Sequence, residues 1–360
     1  TQIHSKISVS LRAISRPRSI STHEATPVIG GETFWGELES DLLDRPSASL
    51  ILMTYAVLFP GQGSQFVGMG ADVFASRPDL LGPGADEILG WPLSAVVSEG
   101  SEEELVRTDR AQPALFAVAY ALWEALAARV ETPPAAAAGH SLGEYTALAA
   151  AGGFDFATGL GLVAQRGRAM ADAAQLAPSG MAALLGADVH TAQTIAADRR
   201  AAGGRLWVAN INAPTQIVVA GSAEDIAWLV ASARDLGARR AVQLKVAGAF
   251  HTPYMEPAAK ELGHVLDAVA VGTPQFAVYA NATAKPMVDP RSELAEQLTA
   301  PVRFAESLEA MSRDGVNVFV HVGPGDVTAG LVRRCVPDAE VLTVSMLADV
   351  PAAAAHLSVH

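Results

Sequence analysis

The chain has 360 residues, half of them hydrophobic and 18% charged, with a formal charge of −13. That length supports a substantial core in one large domain or two of ordinary size, and the negative balance speaks against a nucleic acid or an anionic membrane as partner. The longest apolar run, Ala114 to Trp123, is too short to cross a bilayer, and the single cysteine, Cys335, excludes a disulfide framework, supplies no metal cluster and fits a reducing cytoplasm.

Residues 1–52 carry Lys6, Arg12, Arg16 and Arg18 with no acid before Glu24, many serines and no amphipathic period. Transit peptides, disordered extensions and mis-assigned starts share that composition, so this stretch is read as an extension outside the folded domain. The domain is expected to begin at Met53, just before an apolar strand at Tyr55–Phe59. Pro60-Gly-Gln-Gly-Ser-Gln65 follows as a glycine-rich turn that could aim N–H groups at an anion. It lacks the ending of a P-loop, and Gly61, Gly63 and Gly68 miss the dinucleotide spacing. Ser101-Glu-Glu-Glu104 has capping-box spacing, and Pro113–Arg129 reads as a long, mostly buried helix.

Ala135 to Ala138, bounded by Pro133-Pro134 and Gly139, reads as a buried strand, and Leu142–Ala151 as a helix of strong formers. Between them stands Gly139-His-Ser-Leu-Gly143, a G-x-S-x-G pattern. Its physical sense is a strained strand-to-helix elbow that lifts a hydroxyl clear of the sheet and points the first helical N–H groups into the same space. Ser141 is therefore a candidate nucleophile, the alternative being an ordinary turn. A helix from about Asp155 to Gln175 comes next, with Gln165-Arg-Gly-Arg168 in its middle. Helical arginines are usually surface or stem-packed, so position alone leaves the role of Arg166 open.

From Gly180 the rhythm becomes β-α-β-β-α-β. Strands are expected at 181–185, 206–210, 217–220 and 240–246, and helices at 189–202 and from the Ser222 cap to Gly237. That is the order of a ferredoxin-like unit. Helices at about 253–269, 292–298 and 304–313 and one after Gly325, with strands at 276–279 and 316–320, then resume the α/β alternation. The expected fold class is α/β: a large subdomain with a mostly parallel sheet at 53–178 and 248–350, an inserted small subdomain at 179–247, and a tail at 351–360.

A serine nucleophile needs a base. Of nine histidines, His4, His23, His356 and His360 fall in expected tails, His190 and His264 in helices, and His140 beside the serine, where neighbours on a sharp turn usually point apart. His321 ends a strand, and His251 lies in Val246-Ala-Gly-Ala-Phe-His-Thr-Pro253, a small-residue loop at the subdomain junction, where clefts form. No acid is marked as third partner, since Asp155 falls at a cap and Asp172 on a helix. A carbonyl could hold the imidazole instead, and a thioester asks less of its catalyst because a thiolate leaves readily. The missing acid tilts the reading toward acyl transfer. The basic clusters Arg239-Arg240 with Lys245, and Arg333-Arg334, read as solvated faces; a groove holding Arg239, Arg240 or Lys245 would suit an acidic carrier.

Taken together, several stretches resemble the malonyl-CoA:acyl carrier protein transacylase family and, more broadly, the acyltransferase domains of fatty acid and polyketide synthases. They are Phe59-Pro-Gly-Gln-Gly-Ser-Gln65, Gly139-His-Ser-Leu-Gly143, Gln165-Arg-Gly-Arg168, Asn212-Ala-Pro-Thr-Gln-Ile-Val-Val-Ala-Gly221, Gly248-Ala-Phe-His251, Gln297-Leu-Thr-Ala-Pro-Val302 and Val322-Gly-Pro-Gly325, running in family order over about 54–345. Residues 1–52 have no counterpart.

The resemblance implies an α/β-hydrolase-like large subdomain with a ferredoxin-like insert. It implies Ser141 as the acylated nucleophile, His251 as base, and the backbone N–H groups of Gln62 and Leu142 as oxyanion hole. Arg166 would clamp the malonyl carboxylate, the main-chain carbonyl near Gln297 would orient His251, and Gln62, Asn212 and Phe250 would line the substrate site, Phe250 in the malonyl-preferring form. The implied activity is that of an [acyl-carrier-protein] S-malonyltransferase: ping-pong transfer from malonyl-CoA to a phosphopantetheinylated acyl carrier protein. No metal or bound cofactor is needed, and a cytoplasmic monomer is expected. The rivals are a serine esterase or thioesterase, a trans-acting polyketide acyltransferase with another acyl preference, and a non-catalytic carrier-binding subunit.

Overall fold

The structure, a computed structural model, describes residues 53–358, so the expected extension at 1–52 lies outside the described residues. Among those residues, five parallel strands make the larger sheet: β1 (Tyr55–Phe59), β2 (Ala136–Gly139), β7 (Ala277–Tyr279), β8 (Val318–Val322) and β9 (Glu340–Val344), in the order β7-β2-β1-β8-β9. In β1 the side chains alternate between two cores. Tyr55, Val57 and Phe59 join one cluster, while Ala56 and Leu58 join another on the opposite face. A parallel sheet covered on both faces selects unbroken apolar strands, which is why Ala-Ala-Ala-Gly suffices for β2.

Register then decides what meets at the sheet's end. Phe59 pairs with Gly139, and Ala138 pairs with Tyr279. The loops leaving β1, β2 and β7 therefore emerge side by side at the carboxyl ends of the strands, where open α/β sheets bind ligands.

Five short helices, α1 (Ala71–Ser76), α2 (Pro78–Leu81), α3 (Pro83–Leu89), α4 (Leu93–Glu99) and α5 (Glu102–Val106), lead into α6 (Thr108–Ala127). At α5, Ser101 accepts the Glu104 N–H at 3.1 Å, half of the expected capping box. α6 starts five residues before Pro113, the expected first residue. Its added turn packs on α8 (Phe156–Gln175), whose Gly167 admits the Thr108 carbonyl so closely that a Cβ there would lie 2.8 Å from it. Between them α7 (Gly143–Ala150) leaves the serine turn.

The small subdomain is an antiparallel sheet of β3 (Ser179–Leu185), β4 (Leu206–Ala213), β5 (Gln216–Ser222) and β6 (Arg240–Gln243), in the order β4-β5-β3-β6. α9 (Val189–Ala201) and α10 (Ala223–Ser232) pack on it through Ile195, Ile226 and Leu229. This is the ferredoxin-like order and pairing. β6 is shorter than expected because its pairing with β3 ends as Leu244 gives its N–H to the Met181 carbonyl, and Leu244, Lys245 and Val246 line a cavity. The two subdomains are tied where Val302, in the segment before α13, exchanges hydrogen bonds with Ala209 and Ile211 of β4, at 2.8 Å each.

The rest of the large subdomain adds α11 (Glu256–Asp267), α12 (Pro290–Glu296), α13 (Phe304–Arg313), α14 (Val327–Cys335) and α15 (Val350–Leu357). α15 corrects the expected tail. Val350, Ala353, Ala354 and Leu357 are buried against α6 and β9, so the apolar stripe of Val-Pro-Ala-Ala-Ala-Ala-His-Leu closes the core instead of trailing from it. His356 accordingly sits on a packed helix, 3.0 Å from Glu340.

Candidate active site

The elbow between β2 and α7 depends on the absence of side chains. A Cβ on Gly139 would lie 1.8 Å from the carbonyl carbon of Gly143, and one on Gly61 would lie 2.2 Å from the His140 carbonyl oxygen. With both clear, the chain reverses through Ser141 at φ +52°, a left-handed conformation that side-chain-bearing residues adopt at a cost of order 1 kcal/mol or more. The loop after β1 packs against the same turn.

His251 also has a positive φ, +59°, and is buried. Its Nε2 lies 2.8 Å from Ser141 Oγ, and its Nδ1 lies 2.9 Å from the Gln297 carbonyl oxygen. A carbonyl can only accept, so Nδ1 carries the proton and Nε2 is left with its lone pair toward the serine. Burial, and next the charge of Arg166, push the imidazole pKa down to about 3, which keeps the ring neutral with its Nε2 lone pair free toward the serine. Asp155 caps α8 by accepting the Thr158 N–H, and Asp172 is exposed on the same helix. The backbone carbonyl stands where a triad would place an acid.

Arg166 projects from α8 into the same space and is only 1% exposed. Its Nη1 donates to Gln112 Oε1 (2.6 Å), and its Nη2 donates to Gln297 Oε1 (2.8 Å) and Ser141 Oγ (3.0 Å). The guanidinium carbon lies 5.3 Å from the centre of the Tyr145 ring. Nε has no partner, and no carboxylate forms an ion pair with Arg166 among the described residues. The neighbouring acid, Glu144, is itself buried, and burial raises its pKa to about 8. A neutral Glu144 leaves the positive charge uncompensated.

These groups face a cavity of about 480 Å³, also lined by Gln62, Leu142, Asn212, Lys245 and Phe250. No acceptor is found among the described residues for the N–H of Gln62 or of Leu142, while the Ser141 N–H is already taken, by Asn281 Oδ1 at 2.7 Å. The Gln62 side chain turns to the α5–α6 junction, meeting Val106 and Thr108 at 3.3 Å each. Asn212 holds His140: its Oδ1 lies 2.7 Å from the ring Nε2. Phe250 is 6% exposed and lines the wall beside His251.

Other candidates lie elsewhere. His321 is buried between Thr328 and the Gly323 carbonyl, and His190 and His264 ride on α9 and α11. Lys245 lines the cavity, whereas Arg240, at the other end of β6, pairs with Leu185. Sequence reasoning passed over Gln112, Glu144 and Asn281. Polar residues inside otherwise apolar segments were the available signal; their shared target was not.

The family model described as an acyl transferase domain matches residues 56–351. The chain is 40% identical over 284 residues to the malonyl CoA-acyl carrier protein transacylase of Bacillus subtilis, covering 78% of this chain and 89% of that protein. The transacylase of that name from Coxiella burnetii superposes with a TM-score of 0.81 at 31% identity, over 85% of this chain and 98% of the other. A malonyl-transacylase solved in complex with a type II polyketide synthase acyl carrier protein gives 0.80 at 35% identity, over 84% and 99%. With agreement of this extent in both sequence and fold, the chain belongs to the family of acyl transferase domains.

Proposed function

We propose that the protein moves a malonyl group from malonyl-CoA to the phosphopantetheine thiol of an acyl carrier protein, through an ester on Ser141. The observation that carries this reading is a buried, unpaired guanidinium within 3.0 Å of a serine hydroxyl that faces a neutral imidazole.

Ser141 Oγ attacks the thioester carbonyl while its proton passes to His251 Nε2, and the carbonyl oxygen takes negative charge between the N–H groups of Leu142 and Gln62. The tetrahedral species collapses, the C–S bond breaks, and the imidazolium returns the proton to the departing CoA sulfur. In the second half, His251 takes the proton of the carrier thiol, the thiolate attacks the serine ester, and the proton goes back to Ser141 Oγ. Atoms and charge balance, and no cofactor is called for beyond the two substrates.

Arg166 supplies the selectivity. Acylation turns Ser141 Oγ into an ester oxygen, a poor acceptor, so the Nη2–H it held becomes available to the malonyl carboxylate. A hydrogen bond to a charged group contributes about 1.5–3 kcal/mol, a factor of roughly ten to a hundred or more. An acetyl group would leave that donor unpaired. On this reading the protein works as a cytoplasmic monomer that meets its carrier transiently.

The test is intact-protein mass spectrometry after malonyl-CoA, followed by peptide mapping. One malonyl group on Ser141, discharged on adding holo-carrier and absent in Ser141→Ala, is the expected result. A label elsewhere, or release to water as fast as to carrier, would overturn the reading.

A further inference from the structure

The second residue after β7 is bonded to the nucleophile elbow from three sides. Asn281, fully buried, accepts the Ser141 N–H on Oδ1 and donates from Nδ2 to the Gly139 carbonyl, both at 2.7 Å. Its own N–H donates to Glu144 Oε2 at 2.7 Å, and its carbonyl accepts the Arg303 N–H at 2.9 Å. The orientation of the amide is not ambiguous: a backbone N–H must face its oxygen and a backbone carbonyl its nitrogen.

Resting on the acyl-transfer reading above, we infer that Asn281 is a positioning residue for the reaction: its carboxamide holds the residues before and at the nucleophile so that the hydroxyl meets His251 and the next N–H, that of Leu142, faces the acyl carbonyl. The bonded groups are those that set the turn. Gly139 C=O and Ser141 N–H flank the peptide units whose rotation decides where Oγ and the Leu142 N–H point. Ser141 sits at φ +52°, a conformation a free serine would relax from. With its N–H fixed to Asn281, Ser141 cannot turn that group into the cavity, so the Leu142 N–H is the donor presented there. An aspartate at 281 could still accept from Ser141 but would set an oxygen lone pair against the Gly139 carbonyl. Protonated, it would donate again.

The test compares wild type with Asn281→Ala and Asn281→Asp. The readouts are the single-turnover rate of malonyl-enzyme formation against malonyl-CoA concentration, the rate of Ser141 phosphonylation by a small phosphonofluoridate, and thermal unfolding. A displacement near 1 Å costs about a hundredfold in rate, so folded Asn281→Ala should lose about that factor in maximal acylation rate, with the half-saturating malonyl-CoA changed little and phosphonylation slowed in parallel. Asn281→Asp, expressed as a ratio to wild type, should recover roughly tenfold between about pH 8 and about pH 5 as its carboxyl protonates. Dividing by wild type removes the titrations the two enzymes share, while the new carboxyl and its buried neighbour Glu144 titrate as a coupled pair. An Asn281→Ala enzyme that acylates within about twofold of wild type, or that changes only its half-saturation, overturns the inference. If that variant does not fold, Asn281→Asp decides, and acylation and phosphonylation both within about twofold of wild type at about pH 8, where a deprotonated carboxylate faces the Gly139 carbonyl, and unchanged at about pH 9 overturn it. Wild-type protein that is phosphonylated on Ser141 but never malonylated would sink the malonyl reading and leave this one standing.

Discussion

Arg166 keeps a full charge in a nearly sealed wall with two amide oxygens, a hydroxyl and a ring face around it. Removing such a charge from water costs several kcal/mol unless an opposite charge arrives. A substrate carboxylate meets that need, so Arg166→Ala is expected to lower kcat/KM for malonyl-CoA by about a hundredfold while sparing or raising acetyl transfer. Competing the two thioesters against each variant reads this directly, and equal losses would remove the clamp from the mechanism. The same charge helps hold His251 neutral. Because its folded pKa lies near 3, below the ordinary 6.5, acylation should stay level as pH falls from about 8 through 6.5, with no limb centred there. Between those two values the unfolded chain binds the proton and the folded one does not, so this group erodes stability as pH falls below about 6.5, by up to about 1.4 kcal/mol per pH unit. An activity limb at 6.5 would mean a solvated imidazole.

The elbow is a property of β2, α7 and the loop after β1 taken together. Gly139→Ala would drive a Cβ into the Gly143 backbone, which cannot swing aside, and should lose about 3 kcal/mol or more along with acylation. Gly330, inside α14, is the control. A Cβ there meets nothing within 4 Å, so Gly330→Ala should add about 0.5–1 kcal/mol by raising helix propensity. Denaturant midpoints at unchanged slope separate the two outcomes. Helix and strand rhythm, caps and the G-x-S-x-G pattern made these elements legible beforehand, with α8 and α13 placed to within a residue. The short helices between residues 71 and 99 were not, because no window there is long enough to show a period. α6 ran past Pro113 for a tertiary reason, its fit against Gly167.

At the scale of the molecule, α15 closes the core against α6 and β9. Ending the chain after Asp349 would remove Val350 and Leu357, each contributing about 1.5–3 kcal/mol by burial, and uncover the faces of α6 and β9 beneath them, so a loss of roughly 3–6 kcal/mol is expected from a total of about 5–15. A thermal melt of the shortened chain measures it, and an unchanged midpoint would show α15 to be dispensable.

Sequence alone determined the local pieces: a strand of small residues, a glycine-framed serine, a βαββαβ insert, and a set of motifs whose order resembles one family. Those follow from forces acting over a few residues, where propensity, period and turn geometry dominate. Convergence was beyond it. That the Gln297 side chain would reach both Arg166 and Ser141, that Gln112 would steady the guanidinium, and that Asn281 would strap the elbow were settled by strand register and helix packing. Such bonds join residues 54 to 156 positions apart, and their energies depend on distances that no local pattern encodes.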